Sequence, residues 1–136
     1  MKTNFKDYLE QKKAQKAIDK IAKKYKDKKV VLYGAGFFSS DLLRNYDFSK
    51  VNVIGVADIK FQDDTEGDFY GYKKIGSYDL LETDFDLLLI TTYDDEPVKD
   101  FLNDDLFEGE ERKFKVQTLI KMNLWDYIKQ VIKDEI

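Results

Sequence analysis

The apolar positions of this chain change their period along its length. Between residues 4 and 26 they recur every three to four residues, at Phe5, Tyr8, Leu9, Ile18, Ile21, Ala22 and Tyr25, with lysines between them and Ala14 and Ala17 narrowing the stripe. That spacing predicts one amphipathic helix, capped by Thr3 or Asn4. The period then vanishes. Val30-Val31-Leu32-Tyr33 is apolar without alternation, the pattern of a strand buried on both faces of a parallel sheet. Gly34 and Gly36 interrupt the run, and helical spacing resumes at Phe38, Leu42, Leu43 and Tyr46, ending near Asp47. A second apolar run, Val51 to Ala57, stops at Asp58.

The remaining elements are shorter. Residues 59–71 are polar and acidic and read as a loop where a helix between strands is usual. Tyr72 to Gly76 predicts a short strand, and Ser77 to Glu82 a short helix with Ser77 as its cap. Asp86 to Thr92 is a third continuous apolar strand. Pro97 suits the first turn of a helix running to about Leu106, with Val98, Phe101, Leu102 and Leu106 facing inward and Asp94, Asp95 and Glu96 favouring its positive end. Residues 107–112 form an acidic loop. Phe114 to Ile120 alternates like an edge strand, and Asn123 to about Asp134 repeats as an amphipathic helix.

Strand, tight glycine turn, helix and second strand make half of a dinucleotide-type βαβ unit. Gly34 allows the sharp turn out of the strand. Gly36 leaves room for a phosphate to reach the unpaired N–H groups at the helix start, where the dipole is positive. The third glycine position of the fingerprint holds Ser39, small enough for close helix–strand packing. Asp58 ends the second strand, where a carboxylate accepts hydrogen bonds from ribose hydroxyls and repels a 2′-phosphate, favouring NAD over NADP. The strand end at Thr91 and Thr92 belongs beside the glycine loop, with hydroxyls for a ribose or phosphate or for capping the next helix.

Composition narrows the chemistry. The chain has 136 residues, 43% of them apolar, which suits one domain with a core. It contains no cysteine and no histidine, so disulfides, thiol nucleophiles, Cys/His zinc sites and Ser-His-Asp triads are excluded within it. The net charge of −4 is unevenly spread: residues 1–29 hold eleven lysines and four acids, and the rest twelve basic and twenty-three acidic residues. The basic segment reads as a solvated helix face and no nucleic-acid motif is visible, so no nucleic-acid partner is expected. No apolar run approaches the roughly 20 residues of a membrane-spanning helix, and the first residues have no apolar signal core, which makes a cytoplasmic location the expectation.

Two further groupings carry less weight. Tyr70 and Lys74 have the Tyr-x-x-x-Lys spacing of short-chain dehydrogenases, but span a glycine and a strand rather than one helical turn. The acidic groups Asp63/Asp64/Glu66/Asp68 and Asp94/Asp95/Glu96 lack the spacing of a calcium loop, and no metal site is expected.

The stretch from Val30 to Thr92 resembles the small nucleotide-binding domains of bacterial surface-sugar biosynthesis. The shared pattern is Tyr33-Gly34-Ala35-Gly36, Ile54-Gly55-Val56-Ala57-Asp58, Gly71, Ser77-Tyr78-Asp79-Leu80-Leu81 and the strand ending at Thr92. Such domains are attached to polysaccharide-type nucleotide-sugar dehydratases, hexapeptide-type sugar acetyltransferases and sugar C-methyltransferases. The resemblance implies a Rossmann-type binder of nucleotides or nucleotide-sugars that is not itself the catalytic seat, and it points to Gly34, Ala35, Gly36 and Asp58. The strongly acidic loop after Asp58 departs from the family pattern.

The expectation is therefore one α/β domain over residues 1–136: three layers, Rossmann-like, with a mainly parallel sheet of about five strands in the order 3-2-1-4-5. A helix is added at residues 1–27 and another at residues 122–136. The candidate ligand residues are Gly34, Ala35, Gly36, Phe37, Phe38, Ser39, Asp58, Thr91 and Thr92. The ligand is NAD or a nucleotide-sugar, and a glycan-biosynthesis enzyme is a candidate partner. A catalytic constellation is not evident. Two other functions fit the same residues: a small NAD-dependent oxidoreductase or sugar-modifying enzyme, with a general acid from Tyr33, Tyr93 or a partner subunit, and a ligand-free scaffold that dimerises through its terminal helices along Phe5, Leu9, Ile18 and Ile21.

Overall fold

A computed structural model describes residues 5–107 and 112–121. The expected caps Thr3 and Asn4, most of the acidic loop before Arg112 and the expected C-terminal helix lie outside the described residues.

The chain forms an α/β domain around a single sheet. Helices α1 (Lys6–Gln11) and α2 (Ala14–Lys24) lead into β1 (Val30–Tyr33), α3 (Phe37–Asn45) and β2 (Val53–Asp58). Then come β3 (Asp68–Phe69), β4 (Tyr72–Gly76), β5 (Leu87–Ile90), α4 (Glu96–Asp100) and β6 (Lys115–Thr118). The strands lie in the order β3-β4-β2-β1-β5-β6, six rather than five. The order departs from the expected 3-2-1-4-5 because Asp68–Phe69, inside the segment read as loop, turns back antiparallel onto β4 through a hairpin at Tyr70 and Gly71. The other neighbours are all parallel. That segment also begins with a 3-10 turn, Ile59–Phe61.

Alternation along the central strands divides the core between the two faces of the sheet. Val30, Leu32, Leu87 and Leu89 pack with Leu9, Ile18, Ile21, Phe38 and Leu42 from α1, α2 and α3. Val31, Tyr33, Leu88 and Ile90 pack on the opposite side with Leu80, Val98, Leu102 and Leu106. This two-sided burial is why β1 and β5 read as unbroken apolar runs; every residue in them is buried.

The N-terminal segment is not one helix. It breaks at Lys12 and Lys13, and Lys13 takes the left-handed conformation at φ 54°. A continuous helix would carry the Phe5–Leu9 stripe onto Lys13, and the Tyr8 row onto Lys12. The break keeps both lysines off the buried face and restarts the stripe at Ala14, which is fully buried. Of the stripe Phe5, Leu9, Ile18 and Ile21, the last three are buried within the chain and Phe5 is partly buried against the same core.

Two other helices differ from expectation. Ser77–Glu82 is a 3-10 helix that starts at Gly76, and Ser77 makes no cap. Its hydroxyl is fully buried and engaged with Tyr33 Oη at 2.6 Å instead. The helix carrying Pro97 widens into a π-helix over Phe101–Leu106, closed by the Phe107 N–H donating to the Leu102 carbonyl at 3.0 Å. Among the described residues, no helix is long and apolar enough to cross a membrane.

Candidate functional site

The candidate site is assembled at the carboxyl ends of β1, β2 and β5. β1 ends at Tyr33, and Gly34 turns the chain at φ +126°, a conformation that glycine adopts readily. Space is equally restrictive there. A Cβ at Gly34 would lie 2.7 Å from Thr92 Cγ2 and 3.0 Å from Ser39 Oγ. The glycine loop and the end of β5 are therefore in direct contact, as the strand order requires.

Gly36 is different. Its backbone is extended, it stands as the N-cap of α3, and nothing lies within 4 Å of a Cβ built on it. No side chain caps α3, and no acidic residue occupies its first turn. The first N–H groups of this nine-residue helix therefore receive no side-chain cap, at the positive end of its dipole. A pocket of about 240 Å³ opens there, lined by Phe5, Gly36, Phe37, Phe38, Ser39, Thr92 and Tyr93.

Ser39 and Thr91 are placed otherwise than as open ligand contacts. Both are buried. The Ser39 hydroxyl donates to the Thr91 carbonyl at 2.5 Å, and the Thr91 hydroxyl donates to the Tyr33 carbonyl at 3.1 Å. They tie α3 to β5 and β5 to β1. Thr92 lines the pocket, and its hydroxyl donates to the Asp94 carbonyl at 2.8 Å. Phe37 is largely exposed at the mouth, and Phe38 is buried beneath it.

Asp58 reaches the glycine loop, but as an acceptor for the protein's own backbone. One carboxylate oxygen accepts from the Ala35 N–H at 2.8 Å and the other from the Lys60 N–H at 3.1 Å. The Lys60 ammonium donates to the Ala35 carbonyl. Both backbone groups of Ala35 are thus satisfied by the end of β2 and the turn after it.

The sequence gives little sign of three further residues around the site. Phe5, read as part of one helical stripe, instead lines the pocket, and Tyr8 from the same stripe packs against Phe38 and Tyr93 of its wall. Phe5 meets Phe38 edge-on at 5.2 Å and Tyr93 at 5.1 Å, and Tyr8 meets Tyr93 at 5.1 Å. The Phe5 N–H donates to the buried carboxylate of Asp41 at 2.8 Å, which fixes α1 over the start of α3. Lys60 carried no recognisable signal beyond its position two residues past Asp58.

The remaining groupings are dispersed. Tyr70 sits in the β3–β4 hairpin with φ 52°, whereas Lys74 is on β4 and pairs with Asp64 at 3.4 Å. Asp95 accepts from the Thr118 hydroxyl at 2.6 Å and pairs with Lys99 at 2.9 Å. Burial raises the Asp95 pKa, but the hydrogen bonds from Thr118 and Lys99 outweigh it and hold the carboxyl below its usual range. Tyr33 is pushed up, chiefly by burial of its phenol. No known family model, curated protein or solved structure matches this chain.

Proposed function

We propose that the chain is a small Rossmann-like module that binds a nucleotide, dinucleotide or nucleotide-sugar at the glycine loop. The observation that carries this reading is the start of α3. Gly36 leaves a Cβ-sized space empty in front of uncapped N–H groups, beside a pocket walled by Phe37, Phe38 and Tyr93. A phosphate fits the N–H groups, and an aromatic wall suits a base or a sugar face. The pocket is smaller than the 300–1,000 Å³ typical of whole-ligand sites, so the rest of such a ligand would lie across the exposed Phe37.

Binding rather than catalysis is the proposed role, in association with an enzyme of glycan assembly. Tyr33, one candidate acid, is buried and bonded to Ser77, and its raised pKa disfavours proton loss near neutral pH. One observation favours a second reading, a fold that no longer takes a ligand: Asp58 and Lys60 already satisfy Ala35 without one.

A thermal-shift screen against NAD, NADP, UDP, UDP-sugars, CDP, GDP and coenzyme A separates the two. Ligand at a hundred times its Kd adds about 2.7 kcal/mol, a shift of several degrees for a domain this size. A shift with one class, lost in Gly36→Val, supports the module. No shift at millimolar concentration with any of them favours the ligand-free fold.

A further inference from the structure

We propose a second ligand site at the opposite end of the sheet, a lysine-lined cavity for a compact, multiply charged phosphate of the pyrophosphate or tripolyphosphate class. The cavity, of about 350 Å³, is lined by Lys24, Tyr25, Lys28, Asp86, Lys113 and Lys115. It lies at the amino ends of β1, β5 and β6, away from the glycine loop. Lys24 and Lys28 come from the end of α2 and the turn after it. Lys113 and Lys115 come from the start of β6, nearly ninety residues later. The fold brings these two pairs to one concavity.

Lys29 engages both Asp86, in the lining, and Asp84, two residues before it. Asp86 accepts from the Lys29 backbone N–H at 2.8 Å, and Asp84 pairs with the Lys29 ammonium at 2.8 Å. Lys29 is the main cause, with Lys113 adding to it, of an Asp84 carboxyl held below its usual range. Among the described residues, none of the four cavity lysines is in an ion pair. On a convex surface such ammonium groups spread into solvent. Around a concavity their fields add and concentrate a counter-anion. Lysine binds phosphate as a point charge without demanding a planar fork, which suits a compact polyanion. Tyr25 is the one aromatic in the lining; its hydroxyl donates to Gln117 Oε1 at 3.4 Å and the Lys24 ammonium lies over its ring at 5.4 Å from the centroid, so phosphate rather than a base is the recognised part. This assignment also accounts for part of the lysine excess in the N-terminal segment.

The test titrates the full chain with tripolyphosphate, adenosine triphosphate and sulfate at constant ionic strength, by calorimetry. The expected result is saturable binding of tripolyphosphate, with sulfate weaker. Lys24→Gln/Lys113→Gln should weaken it about tenfold or more, while Lys16→Gln/Lys20→Gln, which removes the same charge from the exposed side of α2, changes it less than about threefold. Equal affinity for adenosine triphosphate identifies the phosphate chain alone as the ligand chemistry; tighter binding identifies a nucleotide source. Absence of saturation by about 5 mM, about five times a millimolar Kd, overturns the proposal, as does equal weakening in both double variants. Gly36→Val should leave this binding unchanged. Loss in that variant would assign the anion to the glycine loop and remove the second site.

Discussion

The carboxylate of Asp58 accepts a hydrogen bond from the Ala35 N–H at 2.8 Å, so the residue that ends β2 closes the loop that follows β1. The same side chain receives the Lys60 N–H at 3.1 Å, and any ribose at this position must share its oxygens. Asp58→Ala leaves both N–H groups without this acceptor and should cost about 1–3 kcal/mol by urea denaturation. Asp58→Asn, which keeps one acceptor oxygen, should cost less. If Asp58 also holds ribose, Asp58→Ala weakens a nucleotide more than inorganic pyrophosphate. Equal weakening of the two would make the carboxylate purely structural.

Gly34 and Gly36 should respond in opposite ways to a methyl group. Alanine at Gly34 meets a φ of +126° and the Thr92 methyl group at 2.7 Å, so about 1–3 kcal/mol of strain and repacking is expected. Alanine at Gly36 meets extended backbone and open space, and stability should stay within about 0.5 kcal/mol of the parent. Valine at Gly36 should leave the fold intact and abolish nucleotide binding. Thermal denaturation of the three variants, with a nucleotide titration of the third, checks the pair. A Gly36 variant as unstable as Gly34→Ala would sink the assignment of open space there.

The central strands and the glycine turn were legible because their cause is local in the chain. Val30–Tyr33 and Leu87–Ile90 must be apolar at every position when helices cover both faces. What could not be read depends on partners distant in sequence. Nothing near Ser77 announces that Tyr33, forty-four residues away, takes its hydroxyl. The glycines and Asp58 were recognisable as one grouping, but the geometry that joins Asp58 to Ala35 rather than leaving it open is a tertiary fact. The break at Lys13 was hidden because Ala14 and Ala17 fit either one long helix or two short ones.

Tyr33 and Ser77 form a buried pair whose worth depends on pH. Tyr33→Phe strips the Ser77 hydroxyl of this partner and should cost about 1–3 kcal/mol at neutral pH, while Tyr33→Phe/Ser77→Ala should recover part of that loss. Burial raises the Tyr33 pKa in the folded chain. Below about pH 10 the phenol is neutral folded and unfolded, and its contribution is fully present. As pH rises above that value the unfolded chain ionises first, so the contribution falls and is lost once pH passes the folded pKa. Tyr46 and Tyr72 are raised too, but they are common to parent and variant and cancel in the difference. The stability gap between parent and Tyr33→Phe should therefore narrow as pH rises past about 10. A gap that stays constant over that rise would show that the phenol is not desolvated by folding.

Lys13 offers a test whose sign distinguishes two local structures. In an uninterrupted helix, replacing Lys13 by glycine costs about 0.5–1 kcal/mol, because glycine loses more backbone freedom than lysine. At the observed φ of 54° and ψ of 56° the balance reverses. Lysine is strained there by about 1 kcal/mol, whereas glycine adopts the left-handed region freely and is also accepted at a helix N-cap. Lys13→Gly should thus be neutral or stabilising by up to about 1 kcal/mol, and Lys13→Val destabilising, since a β-branched side chain tolerates positive φ worst. Urea denaturation of the two variants decides the matter. Because glycine keeps the turn that lets the Phe5 N–H reach Asp41, Lys13→Gly should also preserve the Phe5–Phe38–Tyr93 cluster and leave nucleotide affinity unchanged. Destabilisation by glycine would mean that α1 and α2 are one helix, and the pocket wall contributed by Phe5 would then have to be withdrawn.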